Sequence, residues 1–456
     1  MKLQHAKFHF VGVGGIGMCG LAELLHNMGA KVSGSDIADN ANTERLREMG
    51  VKVYKGHAAS NVGDADVVVY SSAIQYGNPE IYEARARQIP LIPRAEALAE
   101  IMRLKRGIAV AGTHGKTTTT SMTSAIFLEG NLSPTIVVGG RFELIKSTAL
   151  LGAGEWLVAE ADESDGSFNK LTPEIAIITN IDSDHLDHYK TFENLQKNFY
   201  DFALKVPFYG KIIACGDDPI VRQIFENFPK RILYYGFDEK NDLVLAGEQG
   251  NYSLYRSDRL LGTRHLVGKF KLGVPGRHNA LNAVAAICAG LAAGLSFEVC
   301  AAGLQRFDGV DRRFHFKGEK KGIRVYDDYG HHPTEVRAVL QAFREKYPNN
   351  RLVVYFQPHR FSRTQHCWHD FTTAFMEADQ ILLTDIYPAG EAPIPGISSE
   401  KLAQEMKHEH AQYFLRDDKS SQKIVSMLKD GDIFITLGAG DGWKLGLDVL
   451  DKIQTN

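Results

Sequence analysis

Ala111-Gly-Thr-His-Gly-Lys-Thr-Thr-Thr119 follows an apolar run, residues 107–110, and precedes a helical pattern over residues 121–128. A strand, a glycine-rich turn and a helix in this order are typical of a phosphate-binding loop, because backbone N–H groups and the positive helix end cradle phosphate oxygens. We expect Lys116 to reach the β- and γ-phosphates of a nucleotide and the Thr117 hydroxyl to coordinate Mg²⁺. Val110 stands where the strict pattern has its first glycine. An ordinary glycine-rich turn is therefore the alternative interpretation.

The composition is that of a globular protein with several domains. The chain has 456 residues, of which 44% are hydrophobic and 23% charged, and its net charge of −3 argues against nucleic acid as a partner. Its five cysteines are scattered, so neither a zinc site nor a disulfide framework is indicated. The first residues run into a strand pattern instead of a secretory signal, and no apolar run is long enough for a membrane span. We expect a cytoplasmic protein without a membrane partner.

Short apolar runs alternate with amphipathic helical patterns along the whole chain, which predicts an α/β fold with mostly parallel sheets. We predict a Rossmann-like domain over residues 1–106, a central P-loop ATPase domain over 107–312 and a C-terminal Rossmann-like α/β domain over 313–456. Residues 231–275 carry short alternating runs, which predict a small antiparallel insertion in the central domain.

A second glycine-rich turn, Gly12-Val-Gly-Gly-Ile-Gly17, lies between the first strand and the first helix. Small residues let the backbone approach a pyrophosphate, so Gly14, Gly15 and Gly17 are candidate ligands of a diphosphate. Asp36 ends the next strand, where an acid can accept ribose hydroxyls. Ser71 and Ser72 follow a further strand, and helix capping is as good an explanation for them as ligand contact. Read alone, this turn indicates NAD, although a close-packed turn without a ligand would look the same.

Two acidic segments follow strands of the central domain. Glu160-Ala-Asp-Glu-Ser-Asp165 offers hard oxygen ligands for Mg²⁺ beside the phosphate loop, and Glu160 and Asp162 could share a face. A solvated acidic loop is the alternative. The second segment, residues 180–188, contains three aspartates and two histidines, which favour a further metal or phosphate contact.

Polar residues also mark a helix start and two strand ends nearer the C-terminus. His278 and Asn282 are four residues apart on one helical face. The Asn282 amide could bind a base or ribose, or it could be a hydrogen-bonded amide of the core beside a helix cap. Residues 326–335 and 356–364 each end a strand and carry histidines, and the second also carries Arg360 and Arg363, which suit a carboxylate or a transferring phosphate.

Taken in order, these motifs resemble those of the Mur ligases of peptidoglycan precursor synthesis over almost the full chain. The motifs that carry the resemblance are Gly12–Met18, Gly112–Thr118, Glu160–Asp165, Asp184-His185, His278-Asn279, Arg312–Phe314, Asp327–Glu335 and Pro358–Arg360. The resemblance implies a domain for a UDP-sugar, a central ATPase and a mobile C-terminal domain that completes the site. It also implies ATP and Mg²⁺ as cofactors.

The resemblance also implies a role for individual residues. Lys116 would act with His331, His359, Arg360 and Arg363 in catalysis, and Thr117, Glu160 and His185 would hold magnesium. UDP-sugar contacts would come from Gly14, Gly15, Gly17, Asp36, Ser71 and Ser72. ATP contacts would come from Gly112, Thr113, His114, Gly115, Lys116, Thr117, Thr118, His278, Asn282, Arg313 and Asp328.

Within this family the chain is most similar to the member that joins L-alanine to the lactyl carboxylate of UDP-N-acetylmuramate through an acyl phosphate. UDP-N-acetylmuramate, L-alanine and ATP are then the expected partners of a monomer or homodimer. His331 or His359 could accept the ammonium proton of alanine. Three alternatives remain: a ligase that adds a whole tripeptide to the same sugar, an NAD-dependent dehydrogenase and a non-catalytic nucleotide sensor.

Overall fold

A computed structural model describes residues 5–71, 74, 77–258 and 261–453. Within them, the chain builds three sheets, each covered by helices. Ser72, one of the predicted UDP-sugar ligands, lies outside the described residues. The α/β class with three Rossmann-like or P-loop sheets is confirmed.

The N-terminal sheet has five parallel strands in the order β3-β2-β1-β4-β5. Its strands are β1 (Lys7–Val11), β2 (Lys31–Asp36), β3 (Lys52–Lys55), β4 (Val67–Tyr70) and β5 (Leu91–Pro93). Its helices are α1 (Ile16–Asn27), α2 (Ala41–Glu48), α3 (Pro79–Ala86) and α4 (Arg94–Met102), with a 3-10 turn at Ala59–Val62. The glycine turn joins β1 to α1 at the carboxyl edge of this sheet, where ligands of doubly wound sheets bind.

The central sheet has ten strands in the order β15-β14-β13-β12-β11-β10-β6-β9-β7-β8. Its strands are β6 (Arg106–Ala111), β7 (Thr135–Phe142), β8 (Ser147–Leu150), β9 (Trp156–Glu160), β10 (Ile175–Ile178), β11 (Lys211–Cys215), β12 (Ile232–Gly236), β13 (Leu243–Glu248), β14 (Asn251–Asp258) and β15 (Thr263–Lys271). Its helices are α5 (Lys116–Glu129), α6 (Leu186–Tyr189), α7 (Phe192–Leu204), α8 (Pro219–Ile224), α9 (Arg277–Ala292) and α10 (Phe297–Gln305), with a 3-10 turn at Ser167–Lys170. Residues 107–111 of β6 are all buried at the middle of this sheet, which explains their continuous apolar run.

Residues 231–275 form strands β12 to β15 at one edge of the central sheet, which is mixed, as predicted. Strand β12 pairs in parallel with both β11 and β13, so this segment begins by extending the parallel sheet. Helix α8 lies between β11 and β12 in the chain, and a crossover of this kind lets consecutive strands run in parallel. An antiparallel pair, β7 with β8, lies at the opposite edge of the sheet.

The C-terminal sheet has six strands in the order β16-β17-β21-β18-β19-β20, parallel except for the β16–β17 pair. Its strands are β16 (His315–Lys320), β17 (Ile323–Asp328), β18 (Leu352–Phe356), β19 (Gln380–Leu383), β20 (Ala411–Tyr413) and β21 (Ile433–Leu437). Its helices are α11 (Pro333–Lys346), α12 (Phe361–His366), α13 (Trp368–Phe371), α14 (Ser399–Glu405), α15 (Ser420–Met427) and α16 (Trp443–Lys452).

The chain divides into two compact units. The first comprises residues up to 246, 252–271 and 281–308, and contains the N-terminal and central domains. The second comprises residues 247–251, 272–280 and 309 onwards, and contains the C-terminal domain. Among the described residues, no helix has the length and apolar character needed to cross a bilayer.

Candidate active site

The phosphate loop joins the buried end of β6 to the first residue of α5. Gly115 precedes the helix with φ of 83°, and no side chain caps the helix there. The loop is held from outside instead: the N–H of His114 donates to Asn180 Oδ1 at 2.8 Å and the N–H of Thr113 donates to Asn180 O at 3.1 Å. An uncapped helix start on a braced loop is suited to an anion.

Lys116 turns back onto its own loop in this structure. Its Nζ donates to Gly112 O at 2.7 Å, to Thr113 O at 3.1 Å and to Glu163 Oε1 at 2.8 Å. Glu163 is fully buried, and burial raises the pKa of its carboxyl to about 7. The sequence analysis did not identify Glu163 as the partner of Lys116, because the acidic segment Glu160–Asp165 was interpreted only as a source of magnesium ligands. The position of Glu163, three residues beyond the end of β9, was the available signal.

Thr117 and Glu160 lie together, as the magnesium hypothesis requires. Thr117 hydrogen-bonds to the Glu160 carboxyl, whose pKa is raised by burial. Within the described part of the chain, Glu160 Oε1 is buried without a hydrogen-bond partner. A buried carboxylate oxygen without a partner beside a hydroxyl is the donor chemistry that Mg²⁺ prefers, so these residues fit the ion.

His185, the third predicted metal ligand, precedes α6 in a left-handed conformation with φ of 57°. Its Nε2 lies 3.7 Å from Glu163 Oε1 and 3.7 Å from Asp184 Oδ2. His185 therefore lies beside the Glu163 carboxylate, which also accepts a hydrogen bond from Lys116.

The segment 180–188 braces the phosphate loop as well as supplying His185. Asp182 Oδ2 lies 3.0 Å from His114 Nε2, and the Asp182 N–H donates to Thr113 Oγ1 at 2.9 Å. Asn282 reaches the same loop from α9, because a Cβ at Gly115 would lie 2.7 Å from its Oδ1. Thr118 is buried in the first turn of α5.

At the N-terminal turn, Asp36 and Ser35 hold the backbone. Asp36 Oδ2 accepts from the Gly14 N–H at 2.8 Å, while Ser35 O accepts from the N–H groups of Gly12 and Val13 at 2.9 and 3.0 Å. Asp36, predicted to accept ribose hydroxyls, therefore shapes the turn in this structure. The N–H of Ser71 donates to Val11 O at 3.2 Å, which places Ser71 beside the strand that precedes the turn.

Three of the predicted ATP contacts, His278, Arg313 and Asp328, meet in the second unit. Asp328, at the end of β17, accepts from the N–H groups of Phe314 and Gly330, both at 2.7 Å. Arg313 Nη1 lies 3.4 Å from Glu335 Oε1 and also interacts with Asp328. Burial lowers the pKa of His278 to about 4, with the nearby Arg313 adding to the effect. His278 is therefore neutral at physiological pH.

Three of the C-terminal residues predicted to act in catalysis, His331, His359 and Arg363, also lie close together. The rings of His331 and His359 have centroids 5.8 Å apart, and Arg363 Nη1 lies 3.2 Å from His359 Nδ1. Arg360 adopts φ of 67°, its N–H donates to Tyr387 O at 2.9 Å, and its Nε is buried without a partner among the described residues. Strain and an unsatisfied donor at a strand end are typical of a binding site.

Asp328 makes the stability of the protein depend on pH. It is 2% exposed, and burial raises the pKa of its carboxyl from 3.8 to about 6. Between these values the folded state keeps a proton that the unfolded state loses, so stability falls as the pH rises from about 4 to 6, by about 3 kcal/mol from this group. Asp328→Asn should flatten that slope in urea unfolding followed at several pH values. An unchanged dependence of the unfolding free energy on pH would contradict the raised pKa of Asp328.

Three family models match successive parts of the chain. They are described as Mur ligase family, catalytic domain, over residues 7–106; Mur ligase middle domain, over 110–290; and Mur ligase, glutamate ligase domain, over 312–440.

Curated proteins and solved structures resemble the chain over nearly its whole length. It is 86% identical to a UDP-N-acetylmuramate–L-alanine ligase of Bdellovibrio bacteriovorus, covering 99% of this chain and 100% of that protein. A protein with the same name from Oleidesulfovibrio alaskensis is 49% identical, with 98% of each chain covered. The crystal structure of a UDP-N-acetylmuramate-alanine ligase from Thermotoga maritima superposes with a TM-score of 0.81 at 28% identity, covering 98% of this chain and 99% of that one.

Proposed function

The chain belongs to the Mur ligase family, and on that premise we propose that it joins L-alanine to the lactyl carboxylate of UDP-N-acetylmuramate, with ATP converted to ADP and phosphate. This is a step of peptidoglycan precursor synthesis. The observation that carries the proposal is the 86% identity, over 99% of the chain, to a protein of that activity. Neither the tripeptide ligase, the dehydrogenase nor the sensor has comparable support, and the dehydrogenase leaves the loop around Lys116 without a purpose.

A free carboxylate is a poor electrophile, so the reaction needs activation. The lactyl carboxylate attacks the γ-phosphorus of ATP, ADP leaves, and an acyl phosphate forms. The amine of L-alanine then attacks the acyl carbon and gives up a proton, and inorganic phosphate leaves with the C–O bonding electrons. Catalysis here is largely positioning and charge stabilisation, because two anions must be brought together.

In this scheme the Lys116 ammonium group gives up its hydrogen bonds to the loop carbonyls when ATP binds, and contacts the β- and γ-phosphates instead. Its present contacts are to two carbonyl oxygens and to Glu163, and the raised pKa of Glu163 means that the partner it leaves behind can take up a proton. The N–H groups at the start of α5 bind phosphate oxygens.

Magnesium is proposed to bind through Thr117 and Glu160, with His185 as a further ligand. When bound, the ion would neutralise phosphate charge during transfer. The contact of Thr117 with Glu160 and the partnerless Glu160 Oε1 support this assignment.

The remaining roles are assigned by residue. We propose that Gly14, Gly15, Gly17, Asp36, Ser71 and Ser72 bind the UDP-sugar. For adenosine the residues are His278, Asn282, Arg313 and Asp328, and for the acceptor and the reacting phosphate they are His331, His359, Arg360 and Arg363. The proximity of His359 to both His331 and Arg363 supports a shared function for that group.

The functional division proposed is residues 1–106 for the UDP-sugar, 107–312 for ATP and 313–456 for completion of the ligase. Family matches over 7–106, 110–290 and 312–440 support it. We place the reaction in the cytoplasm, where ATP and UDP-sugars are available. A monomer or homodimer is expected, which sedimentation would distinguish.

A phosphate-release assay tests the function. The protein is incubated with ATP, Mg²⁺ and UDP-N-acetylmuramate, and the twenty amino acids and the tripeptide are added singly. We expect phosphate release with L-alanine, and a product whose mass has increased by one alanine residue. Preference for the tripeptide would overturn the acceptor assignment, and hydride exchange with NAD without ATP consumption would overturn the ligase itself.

Glu160→Gln tests the magnesium site. Replacing a charged ligand by a neutral amide should raise the Mg²⁺ concentration for half-maximal activity about tenfold or more, because hard cations bind carboxylates more strongly. Asp165→Asn, in the same acidic segment, is the control: Asp165 Oδ1 accepts from the Ser167 N–H and holds no proposed ion. Equal Mg²⁺ requirements for both variants would refute the assignment.

A further inference from the structure

Arg94 is an unassigned cation at the edge of the N-terminal sheet. It is the first residue of α4 and directly follows Pro93, the last residue of β5. Its backbone therefore lies at the same carboxyl edge as the glycine turn. No side chain caps α4, so the positive end of the helix adds to the guanidinium charge.

The guanidinium packs directly against Gly17, the last glycine of the turn. A Cβ built on Gly17 would overlap Arg94 Nη1, and Gly17 does not have a left-handed backbone conformation. Glycine at 17 is thus explained by the space that the Arg94 side chain occupies, and not by the turn geometry.

The other side of the same guanidinium reaches the central domain. Arg94 Nη2 donates to Asp162 Oδ2 at 3.1 Å, and Asp162 lies two residues beyond Glu160, after the carboxyl end of β9. Arg94 therefore contacts the proposed diphosphate turn and also the acidic segment that contains the proposed magnesium ligand Glu160. Its side chain is 30% exposed, and within the described residues its remaining N–H groups have no hydrogen-bond acceptor.

We propose that Arg94 binds the lactyl carboxylate of UDP-N-acetylmuramate and orients it toward ATP. This rests on the proposed function. The diphosphate already has the N–H groups at the start of α1, which no side chain caps, whereas the reacting carboxylate has no other assigned donor. For transfer to occur, this carboxylate must lie between the Gly12 turn and the phosphate loop at 111–119. The Arg94 guanidinium is suited to that position, because a guanidinium binds a carboxylate through two parallel hydrogen bonds.

The competing explanation is that the Arg94–Asp162 ion pair only fastens the two domains together. The same helix supplies a matched control. Glu96, also on α4, forms an ion pair with Lys170 at 3.5 Å, in the 3-10 turn a few residues beyond Asp162. Glu96→Gln therefore removes a link between the same two segments without removing the proposed carboxylate ligand.

The experiment titrates the full-length protein and its Arg94→Ala, Arg94→Lys and Glu96→Gln variants with UDP-N-acetylmuramate and with UDP-N-acetylglucosamine, which lacks the lactyl group. Arg94→Ala should weaken UDP-N-acetylmuramate binding about tenfold or more. Binding of UDP-N-acetylglucosamine and of ATP should change little. Arg94→Lys, which keeps the charge but loses the second hydrogen bond and serves if the alanine variant misfolds, should give a smaller loss of the same selectivity. Glu96→Gln should bind both sugars as the wild type does.

Two results would overturn the proposal. An equal loss of affinity for both UDP-sugars would indicate that Arg94 binds the diphosphate instead. Equal changes in affinity for Arg94→Ala and Glu96→Gln would indicate that the Arg94–Asp162 ion pair only holds the two domains together. Failure of the wild type to ligate L-alanine would refute the proposed function, but the binding comparison would still be readable because it requires no turnover.

Discussion

Lys116→Ala should reduce the kcat/KM for amide formation by about a thousandfold or more and leave UDP-N-acetylmuramate binding nearly unchanged. The ammonium group is the cation that the phosphate loop itself supplies to the transferring phosphate, and loss of one such preorganised charge removes stabilisation found mainly in the transition state. The UDP-sugar is proposed to bind the Gly12 turn of a different sheet, and the hydrogen bonds of Lys116 are to its own loop and Glu163.

The variant should also fold. Removing Lys116 deprives the buried Glu163 of its cation, but a carboxyl whose pKa is already about 7 can become neutral by taking up a proton. Lys105→Ala is a suitable control, because Lys105 Nζ also donates to backbone carbonyls of the central domain, those of Gly152 and Gly154. It should keep near-wild-type kinetics. Loss of UDP-sugar binding parallel to the loss of activity in Lys116→Ala would contradict the division of labour between the two glycine loops.

Gly112→Ala should have the second largest effect. Gly112 adopts φ of 140°, where side chains other than glycine are strained, and a Cβ there would overlap Thr179 Oγ1. That hydroxyl donates to His114 O at 2.6 Å, so moving it would disturb the loop itself. We expect a loss of stability of about 2 kcal/mol and a fall in ATP-dependent activity of about a hundredfold.

Thermal unfolding and steady-state kinetics with varied ATP would check both parts of that prediction. Gly273→Ala provides the contrast, because a Cβ at Gly273 meets nothing within 4 Å and its backbone is not left-handed. That variant should match the wild type in both measurements. Normal kinetics for Gly112→Ala would mean that the loop tolerates a shift of Thr179, and would contradict the close packing described above.

The elements that were predicted well are buried parallel strands and the turns after them. The glycine turn at 12–17 joins β1 to α1, and the loop at 111–119 joins β6 to α5, as both patterns indicate. Strands buried on both faces need continuous apolar runs, and the following glycines have a steric purpose, so both leave a local signal. The sheet order leaves none: β6 pairs with β9 and β10, which follow it in the chain by tens of residues.

The amino-acid sequence alone determined the α/β class, the two glycine loops, the family and the residue types available for ATP and carboxylate chemistry. Tertiary structure decided which side chains meet. Glu163 accepts from Lys116, Asp36 from Gly14, and Arg94 lies between Gly17 and Asp162. Local spacing specifies periodic faces and turns, which extend over a few residues. Contacts between residues tens of positions apart depend instead on strand order and side-chain conformation, and these are settled only when the sheets assemble.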